Sequence, residues 1–293
     1  MSDFTLSADA AWSSIKESIS NGDEIDLSGF QLTIDEEPTH TGIDVVSPGT
    51  AGTVVIDGAY DMSTWSFTGG TAAALMASVP TGCSIDALTG GEGTSDVGAT
   101  NIYGHVEMLS GGSGTYCYGS NAIRAGATIG TCVGGPSGSN YSYGCVNNYG
   151  YIALAQGGDG TGSRAIYSNY GYVALGEGSD TSPGSYAISS NFCHVSLARG
   201  GASSQAISIN YGQVHQSEDG VQRAIGYVGA VHMLVDGPNF AGSFLLVTGV
   251  TWSPTLYVLN GPLHVDADIP EEVEIVELFG SVVIVEDSGH WEN

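Results

Sequence analysis

Basic side chains are what this chain has least of. Its 293 residues include one Lys (Lys16) and four Arg (Arg124, Arg164, Arg199 and Arg223) against 31 acids, for a formal net charge of −26. A surface this negative repels phosphate backbones and anionic lipid headgroups, which excludes nucleic-acid and membrane-surface partners. Long apolar runs are also missing. The longest resemble Phe244–Val247, far short of the ~20 residues of a spanning helix, so no membrane insertion is expected. The opening MSDFTLSADAAW has neither the basic start nor the apolar stretch of a secretory signal. Proline is sparse, at 9, and no Gly-X-Y period accompanies the 45 glycines, which excludes collagen. The five cysteines (83, 117, 132, 145 and 193) include no CxxC pair. Zinc is therefore not expected, and a free or intermolecular thiol is.

Against these absences, 42% of the residues are hydrophobic, enough to bury a core. The acids are unevenly spread: 12 in residues 1–81, 9 in 82–235 and 10 in 236–293. The middle is thus nearly uncharged for its length.

That middle is a repeat. NYGYIALAQGGDG at 148–160 returns as NYGYVALGEGSD at 169–180. Taking the glycine of NYG as an anchor, the series runs Gly82, Gly104, Gly126, Gly150, Gly171, Cys193, Gly212, Gly229, in steps of 17 to 24 residues. A second glycine turn follows each anchor (GGEGT, GGSGT, GGPSG, GGDG), and an Ala-Ile pair precedes the next. These pairs stand at 122–123, 165–166, 187–188, 206–207 and 224–225, with Cys145-Val146 once in the slot. Within each unit apolar residues alternate at i and i+2, as in Ile152/Leu154 and Val173/Leu175, which is strand periodicity. A strand–turn–strand–turn unit cannot bury its inner face alone, and stacking on its copies solves that problem. The expected fold is all-β, a parallel β-solenoid with coils of roughly 19–24 residues.

Stacked coils generate columns. Val106, Ile152, Val173, Val195, Val214 and Val231 form one inward column; Ile123, Val146, Ile166, Ile188, Ile207 and Ile225 form the facing one. Asn148, Asn169, Asn191 and Asn210 form an amide ladder. Tyr103, Tyr149, Tyr170, Phe192 and Tyr211 stack beside it. Three regions follow: residues 1–81, a capping helix and irregular first coils; 82–237, the regular coils; and 238–293, acidic coils in a second register (GSFLLV, GPLHV, GSVVIV). Ser7 is the expected N-cap of a helix with Trp12, Ile15 and Ile19 on one face, stopped at Asn21-Gly22.

That helix, followed by DEIDLSGFQLTI (23–34), resembles the opening of right-handed β-helix proteins of the pectin-lyase type. In those proteins such a helix covers the open end of the first coil. The resemblance implies a polysaccharide-cleaving enzyme as one function, but its chemistry is not matched. Lyases need a basic proton abstractor and acid clusters for calcium, and this chain's Arg are scattered. Arg164 and Arg223 share only a column. Hydrolases of that architecture use adjacent Asp pairs, and none occurs. GGEGTSD, GGSGTY and GGDGTG resemble a calcium nonapeptide, yet Ser95, Tyr116 and Gly162 stand where it needs Asp. They read as turns needing positive φ. His105 and His194 share a column without metal-ligand spacing. No cofactor, metal or catalytic residue is assigned.

The Gly/Ser/Ala/Tyr composition, the acidity and the repeat resemble the sheath proteins of filamentous methanogenic archaea. This implies an extracellular or cell-surface structural protein whose partner is itself, with divalent cations or glycans as further ligands. Cys193, which replaces an anchor glycine, is the first cross-linking candidate, with Cys117 and Cys145 beside it. Val282, Val283, Ile284 and Val285, four β-branched residues in a row, form the expected assembly edge. The alternatives are a carbohydrate-binding adhesin or viral fibre using Tyr151 and Tyr172 as platforms, and an atypical polysaccharide lyase or hydrolase.

Overall fold

The computed structural model describes residues 3–210 except 72, residues 212–218, and seven later strands for which only backbone pairing is given: Ile225–Val228, His232–Leu234, Phe244–Leu246, Thr255–Asn260, Leu263–Val265, Glu274–Glu277 and Ile284–Glu286. It is a parallel β-solenoid with two strands per coil. Up to Val228 the strands alternate between two 11-stranded sheets, one running from Asp3–Thr5 to Gln213–Glu218 and the other from Ala10–Ala11 to Ile225–Val228. Both sheets run through residue 81 without a break, so the first coils and the regular coils share one pair of sheets. Farther along, Phe244–Leu246, Leu263–Val265 and Ile284–Glu286 pair in parallel, and the 19-residue step to Val282 becomes a pairing of Leu263 with Ile284.

In the first sheet's six-residue strands the two core-facing positions lie three apart, as Val106 and Leu109 do in His105–Ser110; the apolar i+2 partners Leu154, Leu175 and Leu197 are half-buried on the outer side instead. On the first sheet Ile85, Val106, Ile129, Ile152, Val173, Val195 and Val214 align in one buried column. The next inward column along these strands shrinks steadily: Phe67, Leu88, Leu109, Cys132, Ala155, Gly176. The opposite sheet compensates, with Ala99, Ser120, Cys145, Ile166, Ile188 and Ile207 aligned. Bulk passes from one sheet to the other, and the exchange point is Cys132 against Cys145. The residue before each of these positions follows the same rule: Gly98, Gly119 and Gly144, then Ala165, Ala187 and Ala206. A Cβ on Gly119 would lie 2.7 Å from Leu109 Cδ1, and one on Gly144 would lie 2.5 Å from Cys132 Sγ. The Ala-Ile pairs are thus the complement of Ala155, Gly176 and Ala198.

This corrects the facing column. Ile123 aligns with Asn148, not with Ile166, and Cys145 rather than half-buried Val146 occupies the inward position. Ala122-Ile123 is the right dipeptide three residues out of register. The anchors shift for a related reason. Cys83 and Ala127, not Gly82 and Gly126, align with Gly104 and Gly150. Gly82 and Gly126 are left-handed turn residues just before that position (φ 81° and 87°), where glycine avoids a Cβ clash.

The helix is shorter than expected. It spans Trp12–Ile15, continued by a 3₁₀ turn over Lys16–Ser18, and its N-cap is Ala11 without a side-chain cap. Ser7 lies ahead of the strand Ala10–Ala11. The helix therefore occupies a connector between coils, after both sheets have begun. Trp12 explains its position. It is buried edge-on to Trp65 (4.9 Å) and His40 (5.2 Å), and Trp65 Nε1 donates to the His40 carbonyl at 2.8 Å.

Candidate functional site

The most ordered polar feature is a buried amide ladder at the end of the second sheet's strands. Asn148 Nδ2 donates to Asn169 Oδ1 (2.8 Å), Asn169 to Asn191 (2.8 Å) and Asn191 to Asn210 (2.7 Å). Each carbonyl oxygen also accepts a backbone N–H two residues on, from Gly150, Gly171, Cys193 and Gly212 at 3.0–3.3 Å. All four side chains are buried. Burial without partners would be costly, so the ladder tolerates no gap. It continues an apolar column, Val79–Ile102–Ile123.

Outside the ladder run two aromatic columns, one on each side of the turn at Gly150. In the first, Tyr149 stacks on Tyr170 (5.3 Å, 11°) and Tyr170 on Phe192 (5.0 Å, 7°). Tyr211, expected to continue it, lies outside the described residues. Arg124 occupies the level between Tyr103 and Tyr149, so Tyr103 does not join the stack; Arg124 Nε donates to Asn101 Oδ1 instead. In the second column Tyr151 stacks on Tyr172 (5.4 Å, 11°) and Tyr172 on His194 (4.6 Å, 12°). His105 shares its strand position, separated by Thr128. Near-parallel rings this close must overlap face to face, since side-by-side rings need more room. Their edges, more than their faces, meet solvent.

Arg164 belongs to a separate aromatic group. Its guanidinium lies 5.5–5.8 Å from the ring centres of Tyr143, Tyr167 and Tyr186, and Nη1 donates to the Tyr143 hydroxyl at 3.3 Å. Burial pushes the Tyr143 phenol up, with Arg164 pulling it the other way. The arrangement is cation–π packing. Arg223 lies outside the described residues. Arg199 pairs with Glu177 at 2.7 Å.

All five thiols are unbridged, and they separate by exposure. Cys193 is exposed; Cys83, Cys117, Cys132 and Cys145 are buried. Cys117 Sγ donates to the Gly93 carbonyl and Cys132 Sγ to that of Ala165, each at 3.3 Å. Burial raises the Cys145 thiol well above its ordinary value, and its hydrogen bond with Cys132 adds to this. Cys117 and Cys145 are therefore out of reach of another chain, which corrects their place among the cross-linking candidates. Sequence spacing could not separate them from Cys193, because burial depends on which way each coil position points.

The Gly-Gly turns also differ from expectation. Positive φ falls on Ser95, Tyr116, Tyr141 and Gly162 (52–64°), the aligned turn position and the one the calcium motif would fill with Asp. The Gly-Gly pairs serve close approach instead: a Cβ on Gly112 would lie 1.9 Å from the Gly91 carbonyl oxygen of the preceding coil. Among the described residues no group of three or more His, Cys, Asp or Glu converges. Of the expected edge, Ile284 and Val285 lie in the strand Ile284–Glu286, and Val282 and Val283 lie outside the described residues. No protein-family model, curated protein or solved structure matches the chain.

Proposed function

We propose that the protein is a structural solenoid that assembles with copies of itself, end to end, into an extracellular sheath, surface layer or filament. The observation that carries this is the in-register stacking of like residues, with the Asn148–Asn210 ladder at its centre. Parallel strands with matched side chains at each level are a cross-β stack built within one chain. The last coil of such a stack presents the same donors and acceptors that each coil already uses for the next. Ile284–Glu286 is the final strand of its sheet among the described strands, paired on one side with Leu263–Val265. Repulsion between chains of net charge −26 opposes contact, so salt and divalent cations promote assembly. The acids near this edge, Glu286 and Asp287, act as gatekeepers.

The adhesin alternative draws on the exposure of Tyr151 and Tyr172. Sugar stacking needs ring faces, however, and these rings spend much of theirs on each other. Glycan cleavage is not expected. The test is Ile284→Lys, followed by light scattering and electron microscopy over a salt series. The parent is expected to form salt-promoted filaments or sheets and the variant to remain in short species. A parent that stays unassembled at every salt concentration, or a folded variant that assembles like it, favours the adhesin instead.

A further inference from the structure

The outer face of the first sheet differs from the rest of the molecule. Over Thr128–Val133, Tyr151–Gln156, Tyr172–Glu177 and His194–Arg199, the half-buried and exposed positions carry Thr131, Ala153, Leu154, Ala174, Leu175 and Leu197 between the Tyr151/Tyr172 column and the strand ends. Leu154, Leu175 and Leu197 align in register. The sole acid on these four strands is Glu177, which Arg199 pairs at 2.7 Å. Below them, Met108 extends the apolar surface and is exposed.

We propose that this face is a lateral docking surface for a second copy of the chain, the two copies meeting across their leucine and tyrosine columns. Two physical facts select that occupant. The face repeats its apolar groups at one coil spacing, ~4.8 Å, so its partner must present apolar groups with the same period. A second copy does so by construction, and two such faces interdigitate at ~10 Å like sheets of a sandwich. Charge supplies the other. Two chains of net charge −26 repel, and most of their acids lie in residues 1–81 and 236–293. The five coils of this face carry two acids, Glu177 paired with Arg199 and exposed Glu107 beside Met108, so it is where like-charged copies approach most easily. Six-residue strands of ~20 Å across five coils of ~24 Å give on the order of 500 Å² per copy. A pair then buries on the order of 1,000 Å², the lower bound for a specific interface, which fits a reversible dimer.

This contact extends the assembly proposal sideways and is tested apart from it, in the Ile284→Lys background that removes end-to-end growth. Sedimentation velocity across a concentration series is expected to show a reversible dimer. Leu175→Glu is expected to weaken it at least tenfold, and Ala174→Glu, a second variant on the same face, likewise. Asn147→Glu, the same charge placed on the outer side of the second sheet, is expected to leave the dimer unchanged. Circular dichroism establishes that each variant is folded. Monomer at all concentrations overturns the proposal, as does equal weakening by all three variants or none by the first two. Filaments absent from the parent while this dimer persists would instead overturn end-to-end growth and leave lateral docking standing.

Discussion

The coils before residue 90 and those after it solve one packing problem with different materials. Among the described residues, every buried Trp, Phe and Met lies before Ile85: Trp12, Trp65, Phe67, Met62 and Met76. After it the interior begins with Leu88 and Leu109 and is otherwise mostly Val, Ile, Ala, Cys and Gly, with buried Ser120, Asn148, Asn169, Asn191 and Asn210. The early coils have strands of two to four residues, except Asp61–Thr68, and fill their connectors with aromatics. From Ser84–Thr89 on, the first sheet's strands settle at six residues, and every column is repeated. Large side chains make each early coil individual. Small ones let later coils approach backbone to backbone, and precision then comes from hydrogen bonds and glycine clearances. The second style suits a module that must match copies of itself.

The contrast is broken most strongly at the ladder. Asn169→Ala removes the acceptor for Asn148 Nδ2 and the Gly171 N–H, and the donor to Asn191. Buried groups left unpaired should lower stability by ~2–4 kcal/mol, read from urea unfolding. A loss below ~1 kcal/mol would mean that water or backbone replaces the ladder and that the regular coils do not depend on it.

Two glycines then sharpen the size exchange. Gly119→Ala forces a Cβ to 2.6 Å from the Gly144 carbonyl oxygen and 2.7 Å from Leu109 Cδ1, which should cost ~1–3 kcal/mol. At Gly176, where the opposing residues are Ala187 and Ile188, a Cβ meets nothing closer than 3.7 Å. There the same substitution should stabilise by ~0.4–1 kcal/mol through the unfolded chain. Equal signs at the two positions, measured by thermal unfolding, would refute the exchange of bulk across Cys132 and Cys145.

The smallest expected effect is a labelling count. Burial pushes the Cys83 thiol up to about 11 and raises Cys117 and Cys145 as well. At pH 8 these groups stay protonated, and the thiolate is the reacting species. A thiol reagent should therefore modify Cys193 quickly in the folded chain and the other four only on unfolding. Two or more fast thiols would show that the small-residue coils open. Cys193 is then the one thiol placed to join chains, and non-reducing gels of native material report whether it does.

Much of this was legible in the sequence, for reasons that also set the limits. Recurrent glycine and short β-branched runs report backbone path directly, so two strands per coil and the amide ladder follow from spacing; the i and i+2 alternation does not hold, because the core-facing pairs are Val106/Leu109 and Ile152/Ala155. Register is harder. Ala122-Ile123 imitates Ala165-Ile166, and only the extra turn residue at Gly126, together with Leu109 opposite Gly119, shows that it sits elsewhere. Exposure is harder again. Cys117 and Cys193 differ in accessibility because one lies inside the Gly-rich turn and the other outside the ladder. The short helix departed furthest, since Ala10–Ala11 is drawn into the second sheet by pairing with Leu32–Thr33, a tertiary contact that local propensity does not contain.

The central claim is that one chain is a segment of a cross-β stack that other copies continue. Assemblies grown at raised salt and oriented by flow test it directly by X-ray diffraction. The expected result is a sharp reflection at ~4.8 Å along the long axis, with a ~10 Å spacing across it. Assemblies with the ~4.8 Å reflection lying across the axis would mean that solenoids associate only side by side, and would contradict end-to-end growth.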